Sequence, residues 1–193
     1  MAEMGAQAPG YFRFLPSAFG ELALVWRDEQ PAPRLHYLCL PEERCPWELG
    51  PLEPGSCATI DDLAERIERM LAGEAIAWDL RVVALEHCTP FQRRVLLAEF
   101  DIPRGAVSTY GLIARHIGAP EASRAVGQAL GKNPFPLIIP CHRAVRADGR
   151  LGGYRGGLTM KHHLLQIEGV PLSPEGRVLV DRYHYAEALP DKG

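Results

Sequence analysis

The chain has 193 residues, of which 47% are hydrophobic and 23% charged, a balance that supports a buried core and excludes disordered and fibrous classes. Its net charge of −3 is unevenly placed: residues 1–88 hold 7 Arg and no Lys against 15 acids (−8), residues 89–169 hold 11 Lys and Arg against 5 acids (+6), and the last 24 residues carry −1. No apolar run approaches the roughly 20 residues of a membrane helix, and Met1–Gly10 has neither the basic stretch nor the apolar core of a signal peptide. A cytoplasmic location is therefore expected, nucleoid-associated in a prokaryote, with no membrane contact.

Five cysteines, Cys39, Cys45, Cys57, Cys88 and Cys141, are scattered and form no CxxC pair, so reduced thiols are expected rather than a disulfide framework or a zinc knuckle. The basic second half fits two readings: a face that meets a polyanion through Lys and Arg, and a solvated face with no partner. Charge alone favours the second.

In chain order, Tyr11–Leu15, Glu21–Arg27 and Arg34–Leu40 read as short strands separated by Pro16–Gly20 and Asp28–Pro33, which predicts an antiparallel meander. Pro41–Ser56, rich in Pro and Glu, reads as loop. Thr59 with Asp62 three residues on makes a capping-box pattern, followed by the apolar stripe Ile60, Leu63, Ile67, Met70 and Leu71 before Gly73. Asp79–His87 reads as a strand or extended linker and marks the domain boundary, dividing the chain into 1–86, 87–170 and a tail 171–193 of surface packing followed by disorder. The second unit reads as mostly helical. Thr89-Pro90 opens one helix, with Phe91, Val95, Leu96 and Phe100 on one face. A second helix follows Ser108 and stops at Gly118, and a third runs from Pro120 to Gly131.

The second and third helices have helix-turn-helix spacing, although short helix pairs with a Gly between them are common in any helical domain. On the later helix Ala122, Ser123, Ala125, Gly127 and Ala129 are small and Arg124 is the one long charged side chain. A minor-groove surface and tight helix packing explain this equally well.

Lys132–Arg143 is the most informative segment. Pro134, Pro136 and Pro140 fix φ, which stiffens the backbone that delivers Cys141 just after the apolar Leu137-Ile138-Ile139. Rigid placement suits a nucleophile. A thiol attacks as thiolate and its free pKa is near 8.5, so a base must help. His142 is adjacent in sequence, and Glu168, at the end of a helix from Leu158, is placed to orient the imidazole in a Cys-His-Glu relay. The plain alternative for Glu168 is a solvated helix end, which the helix dipole slightly disfavours. Between them, five glycines from Gly149 to Gly157 make a loop suited to closing over a ligand, without P-loop spacing.

Together, Ile139-Pro140-Cys141-His142-Arg143, Thr89-Pro90-Phe91-Gln92, Val107–Ala114, Ser123–Gly127, Asn133-Pro134, Gly153–Leu158, Lys161 and Leu164-Leu165-x-x-Glu168-Gly169 resemble the O6-alkylguanine-DNA alkyltransferases, the methylated-DNA–protein-cysteine methyltransferases. The likeness covers roughly Thr89 to Gly169; the first half is similar to that family's ribonuclease-H-like domain only in outline. The resemblance implies an α/β (α+β) fold, with an N-terminal antiparallel sheet and helix and a mostly helical C-terminal domain containing a helix-turn-helix. It also implies direct, single-turnover repair of O6-alkylguanine after base flipping, and leaves activity on O4-alkylthymine open. Cys141 would accept the alkyl group, His142 and Glu168 would form a water-mediated relay, Asn133 would brace the turn, and Tyr110 would donate to the guanine. By its residue type alone Tyr110 is a half-buried packing residue. Arg124 would take the place of the extruded base, with Ser123, Ala125, Gly127, Gly131, Arg143, Tyr154, Arg155 and Gly156 meeting DNA or substrate. Arg155 stands where some relatives have Ser. The implied partner is double-stranded DNA bound through its minor groove by a monomer, without cofactor or metal, since no Cys and His set for a structural zinc stands out in the first half. A lesion-binding relative without chemistry, a Cys-His hydrolase and a helix-turn-helix regulator are the alternatives.

Overall fold

The computed structural model describes residues 10–43, 45 and 50–186. It is a mixed α+β fold of one four-stranded sheet, one two-stranded sheet and five α-helices. β1 (Gly10–Ser17) and β2 (Gly20–Arg27) pair antiparallel through a tight turn in which Ser17 faces Gly20, and β3 (Arg34–Cys39) pairs antiparallel with β2. The expected meander is therefore present. The expected loop at Pro41–Ser56 is interrupted by β4 (Leu52–Pro54), which runs parallel to β1 and gives the order β3-β2-β1-β4.

Alternation sorts the sheet's two faces. Leu15, Leu22, Leu24, Trp26, Leu35 and Leu38 join the main core, while Ala23, Val25 and Cys39 form a smaller cluster on the other side. α1 (Ala58–Leu71) buries Ile60, Leu63, Ala64, Ile67 and Met70 in the main core. Its start corrects the capping-box expectation: the helical bonds begin at the Cys57 carbonyl, which accepts from Ile60 and Asp61, so Thr59 is already inside the helix. Asp61 instead accepts from Ser56 and pairs with Arg13.

Residues 79–87 form two short 3₁₀ turns, Leu80–Val82 and Leu85–His87, with one parallel bridge from Leu35 to Val83, rather than a strand. α2 (Pro90–Phe100) then starts as its sequence dictates, with Thr89 accepting from the Gln92 N–H and Pro90 in the first turn. β5 (Ser108–Thr109), α3 (Tyr110–His116), α4 (Ser123–Gly131), β6 (Ala144–Val145) and α5 (Gly157–Ile167) follow. One apolar cluster contains residues of both halves of the chain, from Leu15 and Ile60 to Ile139 and Leu164.

Two expectations are corrected. Cys39 and Cys45 are joined in a disulfide, because the turn after β3 returns the chain until their Cα atoms are 5.8 Å apart; Cys57 and Cys88 are free, as expected, and half-buried. The tail is also more than surface packing, as far as Ala186. Val178 is buried, Ser108 donates to the His184 carbonyl and the Tyr185 hydroxyl to the Ala98 carbonyl. The expected disorder falls on 187–193, outside the described residues. Among the described residues no helix is long and apolar enough to cross a membrane.

Candidate active site

Cys141 begins a 3₁₀ turn, Cys141–Arg143, at the base of a cleft of about 900 Å³ lined by α3, α4 and the Gly152–Arg155 stretch. Three features hold this turn. Asn133, 1% exposed, accepts from the Phe135 N–H and donates to the Ile139 carbonyl, both at 2.9 Å, which clamps the proline-rich segment across its ends. Leu38 of edge strand β3 donates to the Pro134 carbonyl at 2.8 Å, so the sheet anchors the segment from outside. Past the turn, β6 pairs parallel with β5, Ser108 opposite Ala144 and Thr109 opposite Val145. That pairing ties the nucleophile's turn to the residue that caps α3, Thr109, and hence to Tyr110.

His142 is fully buried, and its Nε2 lies 3.0 Å from Glu168 Oε1. Its Nδ1 has no hydrogen-bond partner among the described residues. Burial lowers the His142 pKa, against the opposing pull of Glu168, so the ring is neutral and able to take a proton. Glu168 is not a solvated helix end: its side chain is 1% exposed. Burial would raise its carboxyl, yet hydrogen bonds from Arg143 and His142 win and hold it down to about 2. Arg143 grips both carboxylate oxygens, at 2.8 and 2.7 Å, and donates to the Ile102 carbonyl. The resemblance placed Arg143 at the DNA; its guanidinium is turned inward onto Glu168, because the 3₁₀ turn sends residue 143 away from the cleft.

Burial pushes the Cys141 thiol up to about 11, against a lowering hydrogen bond from Asn133. The resting sulfur is therefore a neutral thiol that has to lose its proton before it can attack. Tyr110 is likewise pushed by burial up to about 12, so its hydroxyl remains a donor at neutral pH. Gly152, at φ +70, lets the chain pass over this hydroxyl: a Cβ there would sit 2.8 Å from Tyr110 Oη.

Of the other residues singled out in the sequence, Ser123, Arg124, Gly127, Gly131, Tyr154 and Arg155 line the cleft with Cys141 and Tyr110. Ala125 and Gly156 do not. Gly156 serves packing, since a Cβ would meet Met160 Sδ at 2.5 Å. The Arg155 guanidinium turns to the first half, donating to the Tyr37 hydroxyl at 2.6 Å, stacking over that ring and pairing with Glu43. It bolts the cleft wall to β3.

Two buried ionisable groups carried no assigned role in the sequence. Lys161, fully buried, donates to the Ala144, Leu151 and Gly153 carbonyls and thereby holds the cleft wall to the nucleophile's turn. Glu99, on the buried face of α2, is fully buried, and desolvation pushes it up to about 8 against the lowering pull of Lys161, Arg143 and the Ala144 backbone. An acid among Val95, Leu96 and Ala98 on a buried face was the available signal. Across the boundary between the two units, Glu29, His36 and His87 bring ligand-type atoms within 4.8 Å of one another, a grouping their spacing did not reveal. Arg34 already pairs with Glu29, and a cation would have to compete with it.

The family model described as 6-O-methylguanine DNA methyltransferase, DNA binding domain, matches residues 90–170. The chain is 45% identical over 113 residues to a methylated-DNA–protein-cysteine methyltransferase of Methanothermobacter thermautotrophicus, covering 58% of this chain and 63% of that one, just under two thirds of its length. It is 44% identical over 108 residues to the protein of the same name from Methanosarcina acetivorans, covering 56% and 68%. The crystal structure of Mycobacterium tuberculosis OGT in complex with DNA is similar over 82% of this chain and 92% of that one, at 36% identity and a TM-score of 0.67.

Proposed function

The chain belongs to the methylated-DNA–protein-cysteine methyltransferase family of DNA-repair proteins, and from that premise we propose that it removes the alkyl group from O6-alkylguanine in double-stranded DNA onto Cys141. The observation that supports this most is a single one: a buried thiol at the base of a cleft, followed in the chain by a neutral histidine that a charged carboxylate orients. In this reading the Cys141 proton passes through a water to Nδ1 of His142, and the resulting imidazolium is stabilised by Glu168. The thiolate attacks the alkyl carbon, the S–C bond forms, and the O6–C bond breaks with its electron pair moving into the guanine ring. Tyr110 donates to the ring as this charge develops, and the proton balance closes when the base regains a proton. Since a thioether has no leaving group for water to displace, each molecule acts once.

α3 and α4 act as the helix-turn-helix, and the first half as the ribonuclease-H-like unit. Small residues along α4 admit the minor groove, and Arg124 fills the gap left by the flipped nucleotide. A monomer meets the duplex where the DNA is, in the cytoplasm or nucleoid. Cys141→Ala tests the reading: lesion binding is retained and transfer abolished, whereas transfer that survives the substitution contradicts it.

A further inference from the structure

A second cleft, of about 1000 Å³, adjoins the first and shares Arg146, Gly152 and Gly153 with it. Its walls also carry Arg150, Arg177 and His162, against one lining carboxylate, Glu175, which is occupied with the Ser173 hydroxyl at 2.8 Å. The segment after α5 builds this cleft. Ser173 and Arg177 close a turn through their backbone at 2.7 Å, the Val178 N–H donates to the Gly149 carbonyl at 2.9 Å, and Arg177 bridges antiparallel to Arg150. The Arg146–Arg150 turn on which it lies is closed by the Arg146 N–H on the Arg150 carbonyl at 2.9 Å.

This arrangement sets two arginines directly opposite one another. Opposed residues of an antiparallel pair have Cβ atoms about 4.5–5.5 Å apart, and like charges in that relation destabilise. The nearby carboxylate does not cancel them: Asp148 meets Arg146 at 3.6 Å and Arg150 at 3.7 Å, while Arg177 reaches only its carbonyl, at 3.4 Å. Two exposed arginines thus share one carboxylate, and the third, Arg177, reaches only a backbone carbonyl. An anion between them relieves the repulsion, and the guanidinium fork matches phosphate.

We propose that this second cleft is a phosphodiester subsite, in which Arg150 and Arg177 hold the backbone of the DNA strand as it leaves the cleft above Cys141. The proposal rests on the reading of the chain as a DNA alkyltransferase, and it gives the segment beyond residue 170 a part in DNA binding. Continuity with the nucleophile's cleft favours a strand already threaded there over a free nucleotide.

The test is the salt dependence of binding to an undamaged duplex, for the unaltered chain, the Arg150→Gln/Arg177→Gln pair and the Arg150→Lys/Arg177→Lys pair. Each phosphate contact contributes about 0.9 to the slope of log K against log salt. The Gln pair is expected to have a slope shallower by about 1 to 2, the Lys pair to regain it, and transfer from free O6-benzylguanine to be the same in all three. Equal slopes for the unaltered chain and the Gln pair overturn the proposal, as does an equal loss on the free base. Failure of the alkyl-transfer reading shows separately, as an unaltered chain that gains no alkyl mass from a lesion, while the slopes on undamaged DNA still read the subsite.

Discussion

Replacing Glu99 with Gln should stabilise the protein by an amount that grows with pH. Glu99 is fully buried, and desolvation lifts its carboxyl from an ordinary 4.5 to about 8, against the lowering pull of Lys161 and Arg143. Between those two values the folded chain keeps a proton that the unfolded chain has released, so stability falls as pH rises, by up to about 1.4 kcal/mol per unit. At pH 7 the accumulated cost is on the order of 3 kcal/mol. Lys161 acts in another window: burial brings it from 10.5 down to about 8, so the folded chain holds fewer protons only above that and gains stability there. His142, His36 and His184, which burial lowers, act with the opposite sign below pH 6.5, but they are common to both proteins, so the difference between variant and unaltered chain below pH 8 reads Glu99. A Gln in its place packs alike at every pH, so subtracting unfolding free energies at pH 5, 6 and 7 removes the packing contribution. Urea titrations read that difference. The account expects the variant's advantage to increase by about 1 kcal/mol or more per pH unit, and a difference constant across the range would refute it.

Glu168→Gln leaves Arg143, whose side chain is 13% exposed, without its counter-charge, and should cost about 3–5 kcal/mol in a urea titration. Because Glu168 is held down to about 2 from 4.5, the stability it confers is present above pH 4.5 and lost as pH falls toward 2; that acid-limb slope should vanish in the variant, along with most of the single-turnover rate. Arg124→Ala should slow repair in duplex DNA far more than transfer from free O6-alkylguanine. Equal losses on the two substrates would remove Arg124 from its role in the base stack.

The parts of the fold legible in the sequence were those set by local rules. Strong apolar alternation and Gly or Pro breaks located β1 to β3, and the Thr89-Pro90 start located α2. What escaped depended on distant partners. β4 has three residues and exists because β1 offers a free edge. The tail looks polar and irregular, yet Val178 and Tyr185 are held by the second half. In the site, Cys141 and His142 stood out through the rigid prolines around them. Arg143 stood out too, as a residue meeting DNA, but only the 3₁₀ turn reveals that its guanidinium grips Glu168. Glu99 and Lys161 were hidden for a related reason: each sits on a helix, α2 or α5, whose buried face becomes apparent only when packing brings it under the nucleophile's turn.

The central claim is tested most directly by mass spectrometry of the intact protein and its peptides after reaction with a duplex carrying one O6-methylguanine. The account predicts one added methyl per molecule, located on the Cys141 peptide, with no turnover when the lesion is in excess. A protein that binds the lesion and remains unmodified, or one that carries the methyl on another residue, would contradict it.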